Sequence, residues 1–279
     1  MKKLILLLAI LLSLSACKND KKTNSENLSE DPIMEEMQMD STQTSAVNNS
    51  EKPKKYPSEL QAIFTAHGGL ARWNKMNNLC FEMKGKNGNE THTISLPDRK
   101  AKIESKDWSI GYDGTGVWLL KHDLGYEGDP VLYHNLMFHF YAMPFIIADA
   151  GTSFTAVGAT ELDGKMYNGY KVSYADGVGD SSKDEYILYF DSKTNQMAWL
   201  AYTVSSKGQK KSDDWHFIKY DKWQEVNGLQ LPEKITWWNV EKGKPHDEEM
   251  DIKFDKITAT ETKLEASVFK KPSKAEYVK

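Results

Sequence analysis

Short runs in which apolar and polar residues alternate fill most of the chain after residue 78. Phe81 and Met83, for example, alternate with Glu82 and Lys84, as expected for a β-strand whose side chains point to opposite faces of a sheet. Dipeptides that favour tight turns recur among these runs: Asp113-Gly114, Asp163-Gly164, Asn168-Gly169 and Asn227-Gly228. Their regular spacing predicts a series of hairpins that build a large antiparallel sheet.

Several of the predicted strands are apolar on both faces. The runs "EYILYFD", "MAWLAYTV" and "ITWWNV" carry large apolar side chains at successive positions. An antiparallel sheet with one face in water would alternate more cleanly. One face is therefore expected to meet helices, and the other a second core or a cavity. We predict a mainly β (α+β) fold, in which a large curved antiparallel sheet forms an incomplete barrel around one or more helices.

Two segments depart from the strand pattern. In the first, Leu60 and Ile63 follow helical spacing, with Ser58 as the expected N-cap and Gly68-Gly69 as an interruption. The second is "YHNLMFHFYAMPFIIADAG" at 133–151, which is apolar nearly all round. A helix of this kind must be buried on most sides, and this one is too short and too interrupted to span a bilayer. Its expected partner is the inner face of the curved sheet.

The first residues, "MKKLILLLAILLSLSAC", combine a basic start, an apolar core and small residues before Cys17. This pattern predicts a secretory signal peptide over 1–16. A cysteine directly after Leu-Ser-Ala also resembles a bacterial lipoprotein box, which implies that Cys17 carries the lipids. By the same resemblance, Lys18 in place of an aspartate favours the outer membrane, on either the periplasmic face or the cell surface. The alternative is an ordinary secretory signal in which Cys17 is incidental.

Composition divides the rest of the chain into a tether and a domain. Ser, Asn, Glu and Lys dominate residues 17–57, where aromatic residues are nearly absent. Such a segment cannot bury enough apolar surface to offset the entropy of ordering it, which predicts a disordered tether behind the lipidated cysteine. Residues 58–279 are rich in Trp, Tyr and Phe and are long enough for one domain.

Charge and motifs exclude several function classes. The formal net charge of −4 argues against nucleic-acid binding. Of the two cysteines, Cys80 has no intrachain partner if Cys17 is acylated, so it is expected to be a small buried apolar residue. His134 and His139 are five residues apart and lie on different faces of a helix, which argues against a shared metal. We find no zinc motif, nucleophile elbow or phosphate loop, and we expect no cofactor, no metal and no enzymatic activity.

Three segments resemble the LolA/LolB-like lipoprotein-carrier superfamily. They are "AHGGLARW…NNLCFEM", "YILYFDSKTNQMAWLAYT" and "YDKWQEVNGLQLPEKITWW", and the resemblance spans most of residues 58–260. The chain is also similar to uncharacterised envelope lipoproteins of Bacteroidota-type bacteria. The resemblance implies an incomplete barrel wrapped around helices, with an apolar cavity for acyl chains. The acyl-contacting arginine of the carrier has no match at the motif level, so transfer of lipoproteins is not implied.

These observations lead to one hypothesis and two alternatives. The chain is expected to be an outer-membrane lipoprotein, anchored through Cys17, whose half-barrel binds an acyl chain, a lipid or another hydrophobic ligand without covalent chemistry. The candidate residues lining the cavity are Phe81, Met83, Trp118, Leu136, Phe140, Trp199 and Trp237. One alternative is a surface glycan-binding lipoprotein that uses tryptophans as aromatic platforms. The other is a scaffold that binds an envelope protein partner.

Overall fold

An antiparallel sheet is the framework of the described part of the chain. The computed structural model describes residues 56–85, 88–122, 126–175, 184–204 and 212–278. The predicted signal peptide over 1–16, the lipidation site Cys17 and nearly all of the predicted tether to residue 57 therefore lie outside the described residues. The described residues belong to one unit, Tyr56–Lys279.

Within these residues the sheet has thirteen strands. The strands are β1 (Asn78–Gly85), β2 (Gly88–Ser95), β3 (Ala101–Glu104), β4 (Trp108–Tyr112), β5 (Val117–Lys121), β6 (Thr152–Leu162), β7 (Lys165–Tyr174), β8 (Tyr186–Phe190), β9 (Met197–Thr203), β10 (Trp215–Val226), β11 (Leu229–Glu241), β12 (Lys244–Thr260) and β13 (Glu276–Tyr277). Their order across the sheet is β13-β5-β4-β3-β2-β1-β12-β11-β10-β9-β8-β7-β6. Pairing of β1 with β12 joins the first five strands to the later ones, and the sheet does not close.

Two tight turns, between β6 and β7 and between β10 and β11, occur where the sequence predicts them. Asp163 and Gly164 have φ values of 48° and 70°, and Asn227 and Gly228 have 49° and 79°. Two successive residues with positive φ form the turn whose twist matches that of the flanking strands. The predicted turn at Asn168-Gly169 is wrong, because both residues lie inside β7.

Gly169 has a packing role instead of a turn role. A Cβ atom at this position would lie 2.8 Å from a ring carbon of Tyr189 and 2.9 Å from a methyl carbon of Val157. The neighbouring side chains therefore occupy the space that a larger residue would need, which is a common reason for glycine inside a strand.

Three α-helices accompany the sheet in the described residues: α1 (Ser58–Ala66), α2 (Leu70–Trp73) and α3 (Pro130–Tyr141), with 3-10 helices at Phe145–Ala148 and Ala266–Phe269. The break between α1 and α2 falls at Gly68 and Gly69, whose φ values are 102° and 85°. Ser58 does not cap α1 as predicted: it is the first helical residue, and the N-cap is Pro57, without a side-chain hydrogen bond.

The sheet curves around α3. The ring of Tyr133 lies 6.0 Å from that of Trp108 on β4, and the ring of His139 lies 5.1 Å from that of Tyr186 on β8. These two positions on the helix are about 9 Å apart along its axis. In a flat sheet, β4 and β8 would be about 38 Å apart, because eight strand spacings separate them. The predicted mainly β fold, a curved antiparallel sheet forming an incomplete barrel around a helix, is confirmed.

Candidate functional site

The concave side of the sheet is filled by α3 and the 3-10 helix Phe145–Ala148. Burial rises along this segment. Val131 to Leu136 are half-buried or exposed, and Leu132 keeps 47% of its accessible surface. Most of the C-terminal half and the residues that follow it are buried, as the all-round apolar pattern predicts. The helix therefore begins at the rim of the half-barrel and ends in its interior.

The start of α3 is set by local chemistry. The Asp129 carboxylate accepts hydrogen bonds from the backbone N–H groups of Val131, at 2.8 Å, and Leu132, at 3.3 Å. Pro130 occupies the first turn, where a helix does not use its backbone N–H. At the other end, the Tyr220 hydroxyl of β10 donates a 2.8 Å hydrogen bond to the carbonyl oxygen of Phe140. Both ends of the helix are thus fixed by polar groups.

Five of the seven predicted lining residues lie together around α3. The ring of Phe81 on β1 lies 4.4 Å from that of Tyr141, and the ring of Phe140 lies 5.9 Å from that of Trp237 on β11. Met83 belongs to the same buried cluster, and Leu136 is half-buried against it. All five contribute to the apolar interior. Their role in binding a ligand stays a prediction.

The other two predicted lining residues, Trp118 and Trp199, lie in separate places. Trp118 is fully buried and donates its indole N–H to the carbonyl oxygen of Phe269 at 3.2 Å. Trp199 packs in a second buried cluster, with its ring 5.1 Å from that of Trp238. Alternation explains the division, since the strand neighbours Leu119 and Leu200 belong to the clusters that contact α3 and its flanking residues. The structure therefore does not bring these two tryptophans into the interior around α3.

Some polar atoms inside the half-barrel lack partners. The Nε2 atom of His139 and the hydroxyl of Tyr141 are buried with no hydrogen-bond partner among the described residues. Burial lowers the pKa of His139 to about 4, and the nearby charge of Arg99 acts in the same direction. The imidazole is therefore neutral at neutral pH. An unsatisfied buried polar group costs about 1–3 kcal/mol, so the packing around α3 is not fully optimised.

At the rim, the N-terminal half of α3 borders a cleft of about 540 Å³. Its lining includes three aromatic residues, Trp108, Tyr126 and Tyr133, and three acidic ones, Glu90, Asp107 and Glu127. The Tyr133 hydroxyl donates a 2.6 Å hydrogen bond to Glu90 Oε2. No sequence pattern predicts this cleft, because its residues come from separate strands and loops and form no local motif.

Metal-ligand clusters and membrane-spanning helices are both absent from the described residues. Among them, no group of three or more His, Cys, Asp or Glu side chains is placed to hold a metal ion. In the same part of the chain, no helix has the length and apolar character needed to cross a membrane.

Comparisons with known proteins give a family match and several similar folds. A model for a family of unknown function, DUF6503, matches residues 129–265. A search of curated proteins gives no match. Among solved structures, a LolA superfamily protein from Nitrosomonas europaea is 10% identical, with 76% of this chain and 97% of that chain covered and a TM-score of 0.46. A DUF1329 family protein from Desulfovibrio piger ATCC 29098 is 9% identical, with 77% and 98% covered and a TM-score of 0.46.

A third similar structure is a Vibrio parahaemolyticus domain named for outer membrane lipoprotein sorting. It is 12% identical, with 71% of this chain and 93% of that chain covered and a TM-score of 0.34. The first and third of these structures are described as a LolA superfamily protein and a lipoprotein-sorting domain, which is the kind of protein that the three sequence segments resemble.

Proposed function

We propose that this protein is a membrane-anchored envelope lipoprotein whose half-barrel binds an acyl chain, a lipid or another hydrophobic ligand without covalent chemistry. The observation that carries the proposal is the placement of α3. A helix that is not part of the sheet covers an apolar concave surface, and its N-terminal half reaches the rim with apolar side chains partly exposed. The ligand would bind along this concave surface as α3 shifts.

The energetics favour such an exchange. A ligand that displaces part of α3 replaces apolar contacts with other apolar contacts, so the total buried apolar area can stay nearly constant. Displacement also releases the His139 Nε2 atom and the Tyr141 hydroxyl from a site where neither has a described partner. Each release removes an unfavourable contribution of about 1–3 kcal/mol. The helix can therefore give way to a ligand at a modest net cost.

The rim offers a route of entry. Leu132 is 47% exposed, and Leu136, one helical turn later, is half-buried against the interior. These two side chains form a short apolar path from solvent to Phe140 and Trp237. An acyl chain following the path would meet apolar surface throughout.

The rest of the proposal concerns location. Lipids on Cys17 would hold the domain at the outer membrane, on the periplasmic face or the cell surface, and a hydrophobic ligand or an envelope protein would be its partner. Because more than one acyl chain is needed for firm attachment, a lipoprotein cysteine would anchor the chain durably. Binding and release would involve no catalysis.

The test uses the chain produced from Lys18 onwards, purified without detergent. Native mass spectrometry would detect lipids that co-purify, and displacement of a dansylated fatty acid by palmitate would measure affinity. Leu136→Asp places a charge on the proposed path and is expected to weaken fatty-acid binding by about tenfold. Hydrogen exchange over Pro130–Tyr141 is expected to rise when the fatty acid binds, since α3 has to shift.

Met166→Asp provides the matched control. Met166 is also apolar and 56% exposed, but it lies on β7, pairs with Glu161 and belongs to none of the buried clusters of the described residues. Its replacement should leave binding unchanged. Absence of both co-purifying lipid and fatty-acid binding would contradict the proposal. Retention on a polysaccharide, lost when exposed tryptophans are replaced, would favour the glycan alternative. A cross-linked protein without any lipid would favour the scaffold alternative.

A further inference from the structure

We infer that the rim cleft beside α3 is a binding site for an organic ammonium group. The cleft combines aromatic rings with a sheltered carboxylate, Glu90, whose side chain is only 14% exposed. Its volume of about 540 Å³ falls within the range of small-molecule sites, which runs from about 300 to 1,000 Å³. The inference does not depend on the proposed function, because an ammonium group needs no acyl chain to occupy the cleft.

Glu90 has no cationic partner among the residues that the structure describes. Its Oε2 atom accepts the Tyr133 hydroxyl at 2.6 Å and lies 3.3 Å from His92 Nε2. Complete burial lowers the pKa of His92, so this ring is neutral at neutral pH. No lysine or arginine forms an ion pair with Glu90 among the described residues. A sheltered carboxylate without a positive partner is costly, and a bound cation would remove that cost.

The three aromatic residues of the lining pack against one another at the edge of the cleft. The ring of Trp108 lies 4.8 Å from that of Tyr126, and the two rings meet at 66°. The ring of Tyr133 lies 6.0 Å from Trp108 and 5.9 Å from Tyr126. The ring planes meet at angles from 43° to 81°, so the three rings do not form a parallel stack. Aromatic faces attract cations through the ring quadrupole, most strongly for tryptophan.

The charges of the lining favour a cation over a neutral ligand. Besides Glu90, Asp107 and Glu127 contribute carboxylates, whereas Lys106 is the only basic residue of the lining within the described part of the chain. The Lys106 side chain is 76% exposed, and its Nζ atom lies 3.8 Å from Asp107 Oδ2. Burial raises the pKa of Tyr126 and Tyr133, and the negative charge of Glu90 acts in the same direction, so both hydroxyls stay protonated. The cleft is thus net negative.

An organic cation fits the lining better than a metal ion. No set of three His, Cys, Asp or Glu side chains converges on one point in the described part of the chain. Hard metal ions need several oxygen ligands, and they gain little from aromatic faces. A substituted ammonium spreads its charge over methyl or methylene groups, which can contact the rings while the charge faces Glu90.

The test compares choline with 3,3-dimethyl-1-butanol, its neutral isostere, on the chain from Lys18 onwards. Saturation-transfer NMR on the ligand methyl groups and calorimetry would measure binding. Choline is expected to bind about tenfold more tightly than the neutral alcohol, because only choline carries the charge. Its affinity should fall as salt is added, since screening weakens the attraction to the carboxylates.

Glu90→Gln and Tyr126→Leu separate the two contributions. Glu90→Gln keeps an acceptor for the Tyr133 hydroxyl but removes the charge, and choline affinity should fall by about tenfold with no change for the neutral alcohol. Tyr126→Leu removes one aromatic ring and leaves Glu90 in place, and this single substitution should also weaken choline binding. Glu82→Gln is the control, since Glu82 has a similarly sheltered side chain, 22% exposed, but pairs with Lys256. It should change the affinity by less than about twofold.

Vesicles distinguish a lipid headgroup from a soluble amine as the source of the ammonium group. Binding to phosphatidylcholine vesicles that depends on Glu90 would support a headgroup, and binding of free choline alone would support a soluble amine. Equal affinity for choline and its neutral isostere would overturn the inference. Choline affinity that is unchanged in the Glu90→Gln variant and also in the Tyr126→Leu variant would overturn it as well. Binding of a neutral oligosaccharide in the cleft, with none of choline, would assign the cleft to glycans instead.

Discussion

At the scale of single residues, two tyrosines near α3 differ in whether the buried hydroxyl has a partner. Tyr220 is 2% exposed and donates a 2.8 Å hydrogen bond to the carbonyl oxygen of Phe140. Tyr141 is fully buried, and its hydroxyl has no hydrogen-bond partner among the described residues. The same side chain therefore contributes differently at two neighbouring places in one core.

This contrast predicts opposite effects for the same substitution. Tyr220→Phe removes the donor to a carbonyl at the end of α3 and should lower the free energy of unfolding by about 1–2 kcal/mol. Tyr141→Phe removes a hydroxyl that lacks a partner and should leave the free energy of unfolding unchanged or raise it by up to about 1 kcal/mol. Urea unfolding of both variants would measure the difference. Equal destabilisation by the two substitutions would show that the Tyr141 hydroxyl is satisfied in solution.

His67 predicts a pH dependence of stability. Its side chain is fully buried, with Nδ1 2.7 Å from the carbonyl oxygen of Ile63, and burial lowers its pKa to about 4. In the unfolded chain the pKa is about 6.5, so below that pH the unfolded state takes up a proton that the folded state does not. The contribution of His67 is complete above about pH 6.5. Stability is lost as the pH falls towards 4, by up to about 3 kcal/mol.

The measurement is the free energy of unfolding between pH 7 and pH 4. His67→Leu should make its decline with falling pH shallower, although the variant starts from a lower value because the Ile63 carbonyl loses its partner. The slope, not the starting value, reports the titration of His67. His246→Leu serves as the control, because the His246 side chain is 62% exposed and lies outside the core. An unaltered slope in His67→Leu would contradict the prediction.

At the scale of elements, Gly111 on β4 permits Trp118 on the paired strand β5 to lie across the sheet. A Cβ atom at Gly111 would lie 2.3 Å from a ring carbon of Trp118 and 2.7 Å from the carbonyl oxygen of Ala101. Gly111→Ala should therefore lower the free energy of unfolding by about 2–3 kcal/mol, through overpacking.

Gly158 on β6 tests whether this cost comes from contact or from the residue type. A Cβ atom there would meet no other atom within 4 Å. Gly158→Ala should be neutral or raise stability by up to about 1 kcal/mol, since alanine has less freedom in the unfolded chain. The two variants are compared by urea denaturation. Similar losses at both positions would place the cause in strand propensity rather than in the contact with Trp118.

Local signals predict much of this fold, and their failures have physical causes. Turns occur at Asp163-Gly164 and at Asn227-Gly228, because Asp, Asn and Gly all tolerate a positive φ. At Asn168-Gly169 the same dipeptide lies within β7, because long-range packing requires a small residue there. A turn at Lys242-Gly243, with φ values of 52° and 74°, lacks the Asn or Asp that would have predicted it.

The candidate site was predictable only in part, for a related reason. Alternation places Phe81 and Met83 on one face of β1, and both do lie on the side of α3. On β9, Met197 and Leu200 share the interior although they are three residues apart, because the pairing with β8 shifts register between Tyr189 and Phe190. A register shift of this kind changes which side chains face inwards. The face of Trp199 therefore could not be assigned from its strand alone.

At the scale of the whole molecule, α3 connects the two ends of the sheet. It follows β5, next to the edge strand β13, and precedes β6, which is the opposite edge. The segment after α3 is held by Asp149, whose two carboxylate oxygens each lie 2.7 Å from an Arg99 nitrogen on the turn between β2 and β3. This ion pair connects the segment after α3 to the turn between β2 and β3, inside the sheet.

The proposed attachment to the membrane through Cys17 also concerns the whole molecule, and it can be tested by labelling. If Cys17 is the lipidated residue, cells supplied with an alkyne-bearing palmitate should incorporate the probe into this protein, and Cys17→Ala should abolish the labelling. Cys80→Ala is the matched control, because Cys80 is a free cysteine on β1, where an S-linked acyl chain would be an alternative explanation for the label. Labelling should be unchanged in this variant. Labelling that persists in Cys17→Ala would exclude Cys17 as the anchor. Labelling that disappears only in Cys80→Ala would show that the acyl chain is attached to Cys80, within the folded domain.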